Sequence, residues 1–310
     1  MKTYVGVDAL RLADLQCSVT IGTFDGVHLG HRALIAQCIA TAQRLSVAPA
    51  IVTWDRHPLE ILRPAKAPPL LSSPERKMEL LGDTGAEVLC VLPFDHEFST
   101  WPPQRFVDDV LVAGLGVRAV TIGAGWRFGH KAAGNVALLH ELGVKRGFEV
   151  EAVDLAQAAG KNVSSSRTRA LITSGEMEEA AALLGRPFDI DGLVVHGDGR
   201  GTDLGYPTAN LECDPRVARP PLGVYAGRLR VRGSWFPAAI SVGVNPTFGG
   251  VTGSPVRIEA FILGMEGDIY GATVRLEFWK RLRDELKFDA VDDLIRQMGR
   301  DVEATRALVG

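Results

Sequence analysis

Ile21-Gly22-Thr23-Phe24-Asp25-Gly26-Val27-His28-Leu29-Gly30-His31 is the stretch that decides the fold of this chain. The apolar run Val19–Ile21 before it reads as a strand. After it, Leu34, Ile35, Cys38 and Ile39 recur at helical spacing. A strand, a glycine-rich turn and a helix start, in that order, make a phosphate site. The first N–H groups of the helix lack partners, and its dipole favours an anion there. His28 and His31 lie three residues apart, so the spacing predicts that they share one face of the helix.

A histidine pair at a helix start also serves as a cap or as plain surface. The strand, the close glycines and the helical pattern together favour a nucleotidyltransferase site, where imidazole donors stabilise an α-phosphate under attack. Working outward, strands are predicted at 18–21, 50–54, 88–92, 119–122 and 150–153. Helices are predicted at 32–45, 74–81, 103–115 and 136–146. This alternation predicts a parallel, Rossmann-like α/β sheet with helices on both faces and ligands beyond the strand carboxyl ends. After about Gly185 the pattern changes to runs at 193–196, 224–231, 238–244, 256–263 and 273–279, with no helix between them. These predict a small antiparallel β-barrel. Val291, Leu294, Ile295, Met298 and Val302 then mark a terminal amphipathic helix packed on it. The expected domains are 1–185 and 186–310.

The chain has 310 residues, 46% of them apolar and 23% charged, which excludes a disordered chain. A formal net charge of −3 argues against a bulk nucleic-acid binder, whose footprint is basic. Cys17, Cys38, Cys90 and Cys213 are scattered, with no C-x-x-C pair, so neither a zinc site nor a disulfide frame is expected. Asp8, Arg11 and Asp14 break any signal-peptide pattern, and no stretch is long enough for a membrane span. The expected location is cytoplasmic, without a membrane or nucleic-acid partner.

Further motifs carry chemistry. Val163-Ser164-Ser165-Ser166-Arg167-Thr168-Arg169 leads into a short helix and suits a polyphosphate, beyond ordinary serine capping. Gly123-Ala124-Gly125-Trp126-Arg127-Phe128-Gly129-His130 offers glycines and aromatics for a planar ring, and reads equally as a turn with core aromatics. Thr53-Trp54-Asp55-Arg56-His57-Pro58 ends another strand, with His57 as readily structural. In the second half, the loop from Gly197 through Gly199, Gly201 and Gly205 to Asn210 lets backbone wrap phosphates. Thr208 and Asn210 alternate and offer hard oxygens to Mg²⁺. From spacing alone, Glu259 reads as a solvent-facing strand residue, and the run containing Arg281 and Arg283 as a solvated face.

Together these residues resemble the bifunctional bacterial riboflavin kinase/FAD synthetase family. The matching segments include TIGTFDGVHLGH, VSSSRTR, LGYPTANL, PLGVYAG, SVGVNPTFGG, RIEAFIL and LRDELKF, from the first strands to the terminal helix. The resemblance implies ATP-dependent phosphorylation of riboflavin to FMN by the C-terminal module. It also implies adenylylation of FMN to FAD by the N-terminal module, with Mg²⁺ accompanying ATP, in a monomer or weak homo-oligomer. It assigns His28 and His31 to nucleotidyl transfer, and Ser165, Ser166 and Arg169 to the triphosphate turn. Thr208 and Asn210 become Mg²⁺–nucleotide residues, and Glu259 the catalytic base, which reverses the reading from spacing. Gly22, Phe24, Asp25, Gly30, Gly125, Arg127, Gly199, Gly201, Gly205 and Arg283 are the further nucleotide- and flavin-binding candidates. The chain departs from the family pattern at Trp54 (usually Phe), Arg56 (Pro), Gly125 (Asp or Asn), Trp126 (Phe), Ser166 (Thr) and Thr202 (a basic residue). These departures leave open a chain with only its kinase module active, or one acting on a modified flavin.

Overall fold

The computed structural model describes residues 1–154, 163–197, 206–244 and 256–310. Two compact units form, Met1–Leu70 with Pro74–Ser165, and Leu71–Ser73 with Ser166–Gly310.

The first unit holds a six-stranded sheet of β1 (Lys2–Val5), β2 (Cys17–Ile21), β3 (Ala48–Trp54), β4 (Val88–Leu92), β5 (Val117–Gly123) and β6 (Glu149–Val153). All its pairs are parallel and the order is β1-β4-β3-β2-β5-β6. The connecting helices are α1 (Val7–Arg11), α2 (Leu29–Leu45), α3 (Pro58–Leu62), α4 (Pro74–Gly82), α5 (His96–Ser99), α6 (Pro103–Phe106) and α7 (Val136–Arg146). Alternate residues of the central strands bury opposite faces. Ala50, Val52, Val88, Cys90 and Leu92 pack with Val107, Leu111 and Leu139 on one side. Ile51, Leu89 and Val91 pack with Leu34, Ile35 and Leu81 on the other. The expected helix at 103–115 is interrupted, because α6 gives way to a π-helical stretch over Val107–Val112. Strand β1 was not anticipated; it is short and mostly exposed at the sheet edge, where a weak apolar pattern suffices. The chain runs from β2 outward to β3 and β4, then crosses to β5 on the other side of β2. That makes the β2/β5 carboxyl ends a topological switch point, the usual ligand crevice of such sheets.

In the second unit, α8 (Ser165–Ser174) and α9 (Met177–Leu184) lead into a closed barrel. Its strands are β7 (Phe188–Val195), β8 (Thr208–Cys213), β9 (Gly223–Val231), β10 (Ser234–Val244), β11 (Val256–Ile262) and β12 (Thr273–Arg283). The order is β10-β11-β8-β7-β12-β9, all antiparallel. Strand β7 starts at Phe188, ahead of the expected Leu193, and β8 adds a sixth strand. Ile240, Ile258, Ala260, Leu276 and Phe278 fill the interior. Helix α10 (Val291–Val309) packs on β9, β10 and β12. The division at Ser165/Ser166 places α9 and nearly all of α8 with the second unit, whereas the sequence pattern alone places both with the first.

Candidate active sites

The loop after β2 is backbone-strained. Phe24 (φ 49°), Gly26 (φ 76°) and Val27 (φ 40°) all take left-handed conformations. For a bulky or β-branched residue this is costly, and it persists only where packing over-determines it. Phe24 and Val27 are fully buried, which supplies that packing. The loop delivers His28 as the N-cap of α2, in extended conformation (φ −69°, ψ 172°). The two histidines do lie on one side, but His28 reaches it as the cap of α2, which starts at Leu29, rather than from within the helix. His28 Nδ1 accepts the backbone N–H of His31 at 3.2 Å, so the neutral ring carries its proton on Nε2. The two imidazoles stack with centroids 3.6 Å apart, and Phe24 meets His31 edge-on at 5.2 Å. His31 Nδ1 is buried without a hydrogen-bond partner among the described residues. Burial, with the His28 ring second, holds its pKa well below the usual histidine value. Gly30 packs closely under this stack: a Cβ there would sit 3.3 Å from the His28 ring.

His31 opens onto a cavity of about 1130 Å³ at the carboxyl ends of β2, β3 and β5. Gly22, Phe24, Gly125 and Arg127 also line it, whereas His28, Asp25, Gly30 and Ser165 do not. His28 is 2% exposed and stands behind His31. Asp25 is buried, and its backbone carbonyl accepts the Ser165 hydroxyl at 3.3 Å, which ties the start of α8 to the loop. Ser166 and Arg169 occupy the first turns of α8. Arg63, Arg127 and Lys131 bring exposed positive charge to the cavity rim. One wall is a run of rings, Trp54–Phe94–Phe98–Trp101 and Phe98–Phe106–Trp126, with Trp126 stacked on Phe128 at 4.6 Å. Arg56 is paired with Asp55, and His57 caps α3, so neither extends the cation set of the wall. Sequence reading missed the ring run, because its members come from four separate segments.

In the barrel, alternation turns Ala209 and Leu211 inward and leaves Thr208 and Asn210 on the outer face. Glu259 of β11 pairs in register with Asn210, and Thr208 Oγ1 donates to Glu259 Oε2 at 3.2 Å. The three residues expected to act together are thus adjacent. Gly197 passes close beside them: a Cβ there would lie 2.0 Å from Asn210 Nδ2. Gly199, Gly201, Gly205 and Thr202 lie outside the described residues. Arg283 is engaged by Asp301 of α10, through Nε at 3.1 Å and Nη2 at 2.7 Å. The buried Tyr225 hydroxyl donates to Pro221 O at 2.6 Å, and burial pushes its pKa up to about 12. Cys17, Cys38 and Cys90 are buried free thiols, raised by burial to about 12, 11 and 12. No group of three or more His, Cys, Asp or Glu residues forms a metal site among the described residues.

The family model described as FAD synthetase matches residues 11–167, and that described as riboflavin kinase matches residues 184–309. A bifunctional riboflavin kinase/FMN adenylyltransferase of Listeria monocytogenes is 38% identical over 295 residues, covering 95% of this chain and 93% of that protein. The protein of the same name from Pseudomonas fluorescens is 35% identical, covering 99% and 98%. That of Escherichia coli K12 is 32% identical, covering 100% and 98%. A solved structure titled macrolide-efflux protein, from Streptococcus pneumoniae, superposes with a TM-score of 0.84 at 31% identity, covering 99% of each chain. Among the described residues, no helix of this chain is long and apolar enough to cross a membrane. With an FAD synthetase domain followed by a riboflavin kinase domain, and relatives of the same name along its whole length, the chain belongs to the bifunctional riboflavin kinase/FMN adenylyltransferase family.

Proposed function

We propose that residues 1–185 transfer AMP from ATP to FMN, and that residues 186–310 phosphorylate riboflavin. The observation that carries this reading is His31, stacked on His28 and opening on the aromatic, cation-rimmed cavity. At about 1130 Å³ it exceeds the usual size for one small ligand, as a site for two nucleotides requires.

In the first reaction a phosphate oxygen of FMN attacks the α-phosphorus of ATP. The bond from that phosphorus to the α,β-bridging oxygen breaks, and pyrophosphate leaves with the electron pair. The His31 ring and the first N–H groups of α2 stabilise the charge that builds up, with no covalent intermediate, and His28 holds the His31 ring in place from behind. Ser165 holds the polyphosphate, with Gly22, Phe24 and Gly30 shaping the loop. Gly125 and Arg127 face the acceptor. Asp25 supports the loop from behind, through its bond from Ser165.

In the second reaction the riboflavin 5′-hydroxyl attacks the γ-phosphorus, Glu259 takes its proton, and ADP leaves. The Thr208 hydroxyl orients the Glu259 carboxylate. Giving its proton to Glu259 leaves its oxygen lone pairs for a cation. Thr208 Oγ1 and the Asn210 side-chain oxygen are hard, neutral donors, which fits Mg²⁺ held mainly by nucleotide phosphates. Bound there, the ion supplies charge neutralisation at the transferring phosphoryl group. Arg283 ties α10 to the barrel through Asp301. The protein works in the cytoplasm, as a monomer or weak homo-oligomer, without nucleic-acid or membrane partners.

Incubation with riboflavin, ATP and Mg²⁺, followed by separation of the flavins, tests both halves. FMN and then FAD are expected. No FMN overturns the kinase assignment, and no FAD from supplied FMN overturns the adenylyltransferase assignment.

A further inference from the structure

We infer that His196 and Tyr270 form the platform on which the kinase half stacks the purine ring of its nucleotide, so that ATP is held there by its base as well as by its phosphates. This rests on the riboflavin kinase reading above.

His196 directly follows β7, and Tyr270 lies in the turn before β12. Their rings stack with centroids 3.8 Å apart and an interplanar angle of 28°. Both residues are exposed, Tyr270 to 52%, so the pair is open to a ligand arriving from solvent. Tyr270 is carried on a fixed turn. Its backbone N–H donates to Asp268 Oδ1 at 2.8 Å, and the N–H of Gly271 donates to Val194 O at 2.9 Å. The Asp268 carbonyl accepts Arg232 Nη2 at 2.8 Å. The platform therefore exists before a ligand arrives, which keeps the ordering cost of binding low.

The register of the barrel puts this pair beside the phosphoryl-transfer residues. Val195, which precedes His196, pairs with Asn210 of β8, and Asn210 pairs with Glu259 of β11. Gly197, which follows His196, runs against the Asn210 side chain. The strand order β11-β8-β7-β12 then lays the reaction out across the sheet. Glu259, which takes the proton of the attacking hydroxyl, stands on one side of Thr208 and Asn210. His196 and Tyr270 stand on the other. Neighbouring strands are about 4.8 Å apart, so the ring pair is within one nucleotide's reach of Thr208 and Asn210. In phosphoryl transfer the attacking and leaving oxygens lie roughly in line with the phosphorus. With the acceptor on the β11 side, ADP extends toward β7 and β12, and its base meets the ring pair. The flavin ring, carried by the acceptor, is directed to the opposite side. A flat, neutral base gains from stacking on an aromatic face without needing a charged partner.

The test uses the full chain and follows FMN formation from riboflavin. Tyr270→Ala removes the larger ring at an exposed position and leaves the barrel core untouched. Its KM for ATP should rise about tenfold, the loss of one base–aromatic stack, with kcat and the KM for riboflavin unmoved. Tyr270→Phe keeps the ring and should recover most of that loss, and His196→Ala should raise the same constant. Adenylyl transfer uses ATP in the other unit, so its KM for ATP should stay where it is in all three variants. Ribose 5′-triphosphate carries no base. Wild-type protein should use it about tenfold less well than ATP, and Tyr270→Ala should use it as well as wild-type protein does. Equal use of ATP and the base-free triphosphate by wild-type protein overturns the inference, whether or not the variants fold. A raised KM for riboflavin, with that for ATP unmoved, overturns it in favour of the flavin ring. Tyr270→Phe as impaired as Tyr270→Ala overturns it too, because the ring is then not what binds. If wild-type protein makes FMN but Tyr270→Ala leaves the KM for ATP unchanged, the inference fails while the kinase function stands. If wild-type protein makes no FMN, both fall together.

Discussion

At the scale of single residues, His31 carries the most information. Its ring is stacked on His28, edged by Phe24 and left with an unpaired Nδ1. Because its folded pKa is depressed, folding disfavours the imidazolium. In the unfolded chain a histidine takes up its proton near pH 6.5. Below that pH the unfolded state binds more protons than the folded one, so stability falls as the solution is acidified. Thermal unfolding from pH 7.5 to 5 should show this fall, and His31→Phe should flatten it. An unchanged slope in His31→Phe would place the titration elsewhere. The pair itself was legible because its members are neighbours in sequence. The tautomer of His28 was not, because it depends on the cap geometry at the start of α2.

Among elements, α10 shows how a polar run misleads. Lys280–Glu285 reads as a solvated charge face, yet Arg283 is mostly buried against Asp301, which is 6% exposed. Asp301 also accepts from Gln297, so one carboxylate ties β12 to the helix. Asp301→Ala strands the Arg283 charge and should destabilise the second unit by about 3 kcal/mol, read as a lowered thermal midpoint. Replacing both partners with apolar residues should recover much of that loss, since the cost lies in the orphaned charge. The pairing spans 18 positions of sequence, and no local pattern announces it. The ring wall of the cavity was hidden for the same reason. Its tryptophans and phenylalanines look like core residues one segment at a time.

At the scale of the molecule, the two proposed sites draw on separate units. The His31 cavity is lined by residues of the first unit alone, and Thr208, Asn210 and Glu259 all belong to the barrel. The two activities should therefore be separable in the intact chain. His28→Ala should abolish FAD formation and leave FMN formation from riboflavin. Glu259→Ala should abolish FMN formation and still convert supplied FMN to FAD. Loss of both activities in either folded variant would contradict separate sites. The sequence by itself determined the layered sheet and the barrel, because hydrophobic periods and turn chemistry are local properties, and it offered the site candidates through motifs and family resemblance. Only the tertiary structure decided which residues meet: the capping role of His28, the register that sets Glu259 beside Thr208 and Asn210, the Arg283–Asp301 clamp and the stack of His196 on Tyr270. The physical reason is that partners distant in the chain are brought together by packing, and the energy of a buried polar group depends on what packing places beside it.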